Sequence, residues 1–463
     1  MKHAIIALLL LLCVQPSYAG KSRTVEKRVA TKPGERIEVS GIAGSKVRFR
    51  SWAKDEVYVQ LKVSISSSDD DYESDFLASV EIDDLRTPDG VRLSFREGEP
   101  HGRKSSWVSR LFGQFFMNKE ISGDVYVPQN NPLTTDMKYG SLTLEGMTGD
   151  VQLLGTTNSV ILRNCAAVSR IENDYGTTRI ANSGGNLTLS ASSSELTVTD
   201  FAGSLEIDAN YSTVSASHVS GDVSVADQGG TVSLDDVGGN AAIDAKYSTI
   251  TLSRVKGVSR VESASGVVHL RDVGGAEVEA NYSTIDINGV TGSAGKQLYV
   301  KSQSGQLTIE DVVGEVVIDN PYSTMNLSRI RGSVTLTSTS ATIEADEVSG
   351  DWKSQTQYST ITLRQLSAKS VSITNSSNPV KITMKSVPST VNIRNTYGDV
   401  RVSMPGGFSG SVELDAEYGA VETNLPIAVR TRSGSGFATG KLGAGTGVIS
   451  IETESGAIDL QEK

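Results

Sequence analysis

The residues that could do chemistry in this sequence fall into two regularly spaced columns. The first alternates acids with bases in two runs of 18-residue steps, and its members are Asp200, His218, Asp236, Arg254, Asp272, Asp311, Arg329 and Glu347. Carboxylates at fixed separations can bind a metal ion or form the acid pair of a glycoside hydrolase. Because a base stands beside most of these acids, we interpret the column instead as a structural charge ladder.

The second column consists of tyrosines, and its commonest spacing is 36 residues. Its candidate ligand-binding members are Tyr175, Tyr211, Tyr247, Tyr282, Tyr322 and Tyr358. A tyrosine ring offers a flat apolar face with a polar end, on which a glycan could stack. The alternative, which the sequence favours, is that each ring plugs the corner of its own turn.

Other signatures of catalysis are absent from the sequence. It has 4 histidines and lacks the HExxH, CxxC, GxSxG and P-loop motifs. Cys165 falls in an apolar column, where a small buried side chain is expected. We therefore predict a non-enzymatic protein with no cofactor, no catalytic residue and no metal ligand. The alternative is a polysaccharide lyase or hydrolase on a β-helix, but such enzymes carry their acids and bases on long loops, and the uniform spacing argues against them.

A repeat of 18 residues must position both columns. One apolar column runs through Val219, Val237 and Val255, and a glycine follows two residues after each of them. Elsewhere in the unit, apolar residues alternate with polar ones, which is typical of a strand with one buried face. The glycine indicates a turn that needs a positive φ or a close approach of two backbones. Each unit is therefore predicted to contain two short strands.

Such a unit cannot bury its apolar face alone, so similar coils must stack on one another. The predicted fold is all-β: a parallel β-solenoid with two short strands per coil and an N-terminal β-rich cap. A coil of 36 residues would place Asp236 beside Asp200 and Asp272, and like charges on paired strands repel. We therefore predict coils of about 18 residues, which place Asp236 between His218 and Arg254.

The chain is predicted to contain four regions. Residues 1–19 have a positive start, a short apolar run and a small-x-small cleavage site, which are typical of a secretory signal peptide. Residues 20–138 are expected to form a coil, a strand excursion with an acidic tip at 69–71, and a cap insertion at 97–120. Residues 139–426 are the regular solenoid, and residues 427–463 are C-terminal coils and a cap.

The insertion carries an amphipathic stripe with two interpretations. Trp107, Leu111 and Phe115 recur at i, i+4 and i+8, with lysines nearby. A short helix with this stripe could lie on a membrane surface. We favour a cap instead, because an uncovered solenoid end exposes unpaired strands. Membrane contact through residues 104–119 is the less favoured hypothesis.

The composition limits the partners. Lys+Arg is 43 and Asp+Glu is 54, so the formal net charge is −11, whereas a nucleic-acid binder needs a basic face. The mean hydropathy of −0.17 excludes a polytopic membrane protein. With the predicted signal peptide, we expect a protein of the periplasm, the outer surface or the extracellular space that binds a polysaccharide or another envelope protein.

Several segments carry a resemblance to a known family. They are GERIEVSGIAGSKVRFRSWAKDEVYVQ at 34–60, VYVPQNN at 125–131, MKYGSLTLEGMTGDVQL at 137–153 and the glycine-punctuated repeats that follow. Across nearly all of the chain after residue 19, the sequence resembles the putative-adhesin family of bacterial β-strand repeat proteins, a domain of unknown function. The resemblance implies a β-solenoid at the cell envelope with an adhesin-like binding or scaffold role, and it supplies no catalytic residues.

Overall fold

The structure is a computed structural model that describes residues 20–67, 70–97, 118–295 and 297–463. The chain forms two compact units, Met1–Ser159 and Val160–Lys463. The predicted fold class is confirmed, because 71% of the described residues are in strands and they form a parallel β-solenoid of about 15 turns of roughly 18 residues. The predicted signal peptide at 1–19 and most of the insertion at 97–120 lie outside the described residues.

The first unit combines a solenoid coil with an antiparallel excursion. Its strands are β1 (Lys21–Ala30), β2 (Arg36–Ala43), β3 (Ser45–Trp52), β4 (Glu56–Ser66), β5 (Val80–Thr87), β6 (Gly90–Glu97), β7 (Asn118–Pro128), β8 (Leu133–Lys138), β9 (Ser141–Glu145) and β10 (Asp150–Thr156). Strand β2 pairs in parallel with β8 on one side and β6 on the other, and β3 pairs likewise with β9 and β7. Later segments therefore enclose the first coil, and the antiparallel pairs β1–β4, β4–β7 and β5–β6 complete the excursion.

Two residues of the predicted acidic tip, Asp70 and Asp71, belong to a helix that was not predicted from the sequence. Helix α1 (Asp70–Ser79) has three acids in its first turn, where the helix dipole favours negative charge. Phe76 and Leu77 are buried, and this short apolar contact was hidden among polar residues in the sequence. Among the described residues, no helix is long and apolar enough to span a membrane.

The second unit repeats two strands per coil. Its strands begin with β11 (Ser159–Arg163) at the boundary and continue as β12 (Ala167–Glu172), β13 (Thr177–Ser192), β14 (Glu195–Asn210), β15 (Thr213–Val219), β16 (Val223–Asp227), β17 (Thr231–Val237), β18 (Ala241–Ala245), β19 (Thr249–Val255), β20 (Val258–Ser263), β21 (Gly266–Val273), β22 (Gly275–Ala280), β23 (Ser283–Val290), β24 (Leu298–Lys301), β25 (Ser304–Val313), β26 (Val316–Asp319), β27 (Tyr322–Arg331), β28 (Val334–Thr337), β29 (Ser340–Val348), β30 (Trp352–Gln355), β31 (Thr360–Leu366), β32 (Ser370–Ser377) and β33 (Val380–Met384). Strands β13 and β14 are each 16 residues long, because the two short strands of a coil are continuous there.

Strand pairing sets the coil length. Val219, Val237 and Val255 are successive Cα partners on β15, β17 and β19, so paired residues are 18 apart. All three side chains are buried. These coils are therefore 18 residues long, as the alternation of charges in the ladder predicted, and like-on-like stacking of valines builds the core.

Some glycines that come two residues after a buried apolar residue are needed for close backbone approach. A Cβ atom on Gly221 would lie 2.6 Å from the carbonyl oxygen of Gly203 in the adjacent coil, and one on Gly332 would meet the carbonyl of Gly314. Neither Gly221 nor Gly332 has a positive φ. Of the two reasons that the sequence left open, close approach applies at these positions.

The C-terminal region departs from sequential stacking. Its strands are β34 (Thr390–Tyr397), β35 (Val400–Met404), β36 (Gly410–Ala416), β37 (Val421–Thr423), β38 (Ala428–Arg432), β39 (Ser435–Leu442), β40 (Gly447–Ser455) and β41 (Ile458–Glu462). The last coil, β40 and β41, pairs in parallel with β34 and β35 on one side and with β36 and β37 on the other. The antiparallel hairpin of β38 and β39 then covers β36. The last coil in sequence is therefore inserted between two earlier ones.

This insertion can be tested by cross-linking. Asn392 on β34 and Ser450 on β40 are Cα partners, and adjacent strands bring Cα atoms within disulfide range, at about 4.8 Å. We expect the double variant Asn392→Cys/Ser450→Cys to form a disulfide on mild oxidation, detected by peptide mass spectrometry. In the control Asn392→Cys/Glu413→Cys, the second cysteine lies one coil further away, because Glu413 pairs with Ser450. A disulfide in the control alone would show that β36 follows β34 directly.

Candidate functional site

Backbone geometry makes the charge ladder project outward. Asp200, His218 and Asp236 have φ values of 52°, 52° and 55°, in the left-handed region that Asp and His tolerate better than most residues. This conformation breaks the in–out alternation, so that Ser217 and His218 both face outward before Val219 turns inward. Positive φ therefore occurs at the ladder residues as well as at some glycines of the repeat. This conformation could not be predicted from the sequence, because the position carries charged residues rather than glycine.

The ladder residues contact acidic side chains in neighbouring coils. His218 lies 3.4 Å from Asp200 (Nδ1–Oδ1) and 3.9 Å from Asp236 (Nε2–Oδ2). Arg254 pairs with Asp235, the residue next to Asp236, rather than with Asp236 itself. In the described residues, no ion pair involves Asp272 or Glu347.

Arg329 forms the best-defined pair of the ladder. Its Nε and Nη2 atoms donate to the two carboxylate oxygens of Asp311 at 2.7 and 2.8 Å. This bidentate hydrogen bond lowers the pKa of Asp311, and the same contact raises the pKa of Arg329. A carboxylate held ionised in this way is unsuited to act as a general acid. Within the described ranges, no cluster of His, Cys, Asp and Glu could hold a metal ion.

Removing the guanidinium should raise the pKa of Asp311. In Arg329→Gln the bidentate hydrogen bond is lost and Glu310 remains nearby, so we expect the Asp311 pKa to move up from its lowered value. A carboxyl group whose pKa is lowered in the folded state stabilises the fold at pH values above its ordinary pKa, and this stabilisation is lost as the pH falls through the lowered pKa. The variant should therefore lose stability mainly at neutral pH. NMR titration of the Asp311 carboxyl measures the shift. Arg254→Gln is the matched control, and an equal shift there would contradict the pairing.

The tyrosine column is exposed to solvent. Its rings are 57–69% exposed, and the column comprises Tyr175, Tyr211, Tyr247, Tyr282, Tyr322, Tyr358, Tyr397 and Tyr418 in the second unit. A ring that only plugged its own corner would be largely buried. The outer faces of these rings are therefore available to a ligand.

Each ring shares its column with small residues in the adjacent coils. A Cβ atom added to Gly229 would lie 3.4 Å from Cδ1 of Tyr211, so this ring lies over the glycine of the next coil. Tyr322 has Ser304 and Ser340 as its Cα partners. Tyrosines therefore recur at every second coil, about 9.6 Å apart for a strand spacing near 4.8 Å.

The inserted C-terminal coil continues this alternation. Ser455 is the Cα partner of Tyr397, and the amide of Tyr418 donates to the carbonyl of Glu454 at 2.8 Å, which places Tyr418 beside Ser455 in the next coil. The order in space is therefore Tyr397, Ser455, Tyr418. Tyr418 could not be assigned to the column from the sequence, because only 21 residues separate it from Tyr397.

The remaining chemistry-bearing residues are dispersed. Cys165 is a free, buried cysteine, and its amide donates to the Ser183 hydroxyl at 3.1 Å. His269 Nδ1 lies 3.4 Å from Asp286 on the paired strand. Neither joins the charge ladder or the tyrosine column.

Comparison with known proteins gives a family and a distant structural likeness. The family model described as Toastrack DUF4097 matches residues 46–461. A crystal structure described as that of a putative cell adhesion protein from Clostridium sporogenes is similar at 10% identity, over 50% of this chain and 99% of that chain. Its TM-score is 0.18, a likeness too weak to carry an argument. No curated protein matches the sequence.

Proposed function

The chain belongs to the Toastrack DUF4097 family, and from that premise we propose that it is a non-enzymatic, adhesin-like binding module whose tyrosine column binds a glycan. One observation carries the proposal: tyrosine rings recur in a single column, at every second coil, with exposed faces. Single exposed aromatic residues are common on proteins, but an aligned series on a stacked backbone offers repeated contacts to a repeating polymer.

Rows of hydroxyl groups flank the rings. Thr213, Thr231 and Thr249 are successive Cα partners and are exposed. Thr213 and Thr249 follow Tyr211 and Tyr247 by two residues, and each threonine is the first residue of the strand that comes after the tyrosine. Hydroxyl groups can both donate and accept hydrogen bonds. A sugar ring stacked on tyrosine could therefore also be hydrogen-bonded at its edges.

The charge of the protein favours a neutral glycan as the ligand of this column. The net charge of −11 opposes the approach of a polyanion, and the tyrosine column itself carries no cation. The charge ladder supports binding rather than cleavage. Its best-defined carboxylate, Asp311, is held ionised by the Arg329 guanidinium and is therefore unsuited to act as a general acid. We also propose, from the signal-peptide pattern, that the protein is exported and acts at the cell envelope.

A glycan-array screen tests the proposal. Residues 20–463 should bind at least one class of neutral polysaccharide, and incubation with that polysaccharide should release no new reducing or unsaturated ends. Release of such ends at a rate proportional to protein concentration would instead support the lyase or hydrolase alternative. Absence of binding to every glycan would contradict the proposed ligand class.

A further inference from the structure

The first unit carries an open groove on the solvent face of its sheet. Five neighbouring strands, in the order β1, β4, β7, β3 and β9, contribute side chains to a cavity of about 560 Å³. Its main polar lining is Thr24, Lys46, Arg48, Lys62, Ser122 and Asp124. The groove is thus built from residues far apart in sequence, which is why no motif indicated it.

The charge of the groove is opposite to that of the chain. Its lining has three cations and one carboxylate, whereas the net charge of the protein is −11. Asp124 accepts from Arg48 at 2.9 Å and from Arg50 at 3.0 Å, so one carboxylate serves two guanidinium groups. Lys46 contacts Glu120 at 3.1 Å at the margin.

Lys62 stands out among these cations. Its Cα partners on the two adjacent strands are Thr24 and Ser122, and it has no ion pair with any described residue. In a protein with an excess of acids, an unpaired lysine between two hydroxyl residues is available to an anionic group.

An aromatic cluster adjoins the groove on three of the same strands. The ring centroids of Tyr58 and Tyr126 are 5.9 Å apart, and those of Trp52 and Tyr126 are 5.1 Å apart. Tyr58 lies four residues from Lys62, and Tyr126 lies two from Asp124, so the rings and the groove share one face of the sheet. The guanidinium of Arg28 covers the Tyr58 ring at 3.9 Å, which holds that ring in place.

We infer that this groove binds an acidic polysaccharide: Lys62 and Arg48 contact its carboxylate or sulfate groups, and the aromatic cluster packs against its sugar rings. Sugar hydroxyls would also donate to Asp124 and to the hydroxyl groups of the lining, donors that the phosphodiester backbone of DNA lacks. The groove is in the first unit, so the inference does not rest on the proposed role of the tyrosine column.

The test is a titration of residues 20–463 with a hexameric polyuronate and with its carboxyl-reduced, neutral counterpart. We expect the charged oligosaccharide to bind more tightly than the neutral one, with an affinity that added salt weakens. Lys62→Gln should weaken it about tenfold, as loss of one charge-assisted hydrogen bond does. Lys353→Gln is the matched control, because Lys353 is also an exposed strand lysine with Thr335 and Ser372 as its Cα partners, and it should bind as the wild type does.

Three results would overturn the inference. They are equal binding of the charged and neutral oligosaccharides, unchanged affinity in Lys62→Gln, and absence of binding. Anionic phosphatidylglycerol vesicles, single-stranded DNA and inorganic phosphate form the comparison arms. Tighter, Lys62-dependent binding of any of these would assign the groove to that ligand and contradict a polysaccharide site.

Discussion

Val237→Asp is expected to destabilise the protein by several kcal/mol, because it buries a carboxylate with no partner. Val237 is fully buried and is the Cα partner of Val219 and Val255, so the charge would lie between two apolar side chains. Since coils contact mainly their neighbours, protection from hydrogen exchange should be lost first in the coils around residue 237.

The matched control is Val313→Asp, at a valine that lies on strand β25 but is exposed. Its effect should be within about 0.5 kcal/mol of zero, as for most surface substitutions. Thermal unfolding and hydrogen exchange of both variants provide the comparison. Equal melting temperatures for Val237→Asp and the wild type would show that the valine column is not the core.

Deletion of residues 447–463 is expected to unfold more of the chain than the deleted coil itself. In the intact protein β40 and β41 connect β34 and β35 to β36 and β37. Without them, the buried side chains Ile449, Ile451 and Leu460 are lost, and two apolar coil faces are exposed. Residues 405–446 should therefore become sensitive to proteolysis, whereas removal of the last coil of a sequential stack would expose only its immediate neighbour.

Limited proteolysis with mass spectrometry measures this difference. Cleavage within 405–446 in the deletion variant, together with protection of the same residues in the full chain, is the expected outcome. Continued protection of 405–446 after the deletion would contradict the inserted arrangement of the last coil.

The regular coils could be predicted from the sequence because one period governs every local interaction. The valine column, the glycine two residues later and the alternation of acid and base all repeat together, so pattern and register agree. The inserted C-terminal coil could not be predicted, since β40 has the same alternating pattern whichever coils it pairs with. Helix α1 was missed for a different reason: its buried face consists of little more than Phe76 and Leu77.

The candidate sites were predictable only where they follow the repeat. The tyrosine column could be predicted from its period. The exposure of its rings could not, because the alternation of apolar and polar residues does not show where the side chain of a left-handed residue points in a turn between strands. The left-handed ladder residues and the groove around Lys62 left no sequence signal. Positive φ is ordinarily read from glycine, and the groove joins strands that are up to 119 residues apart, from Thr24 to Thr143.

The binding role of the tyrosine column is the central claim, and the most direct test is the affinity of the triple variant Tyr211→Ala/Tyr247→Ala/Tyr282→Ala for the glycan identified by the array. The matched control is Ser193→Ala/Ser265→Ala/Ser304→Ala, at small residues of the same column. We expect the tyrosine variant to lose measurable binding while keeping its β-type circular dichroism, and the serine variant to bind as the wild type does. Wild-type affinity in a folded tyrosine variant would contradict the claim.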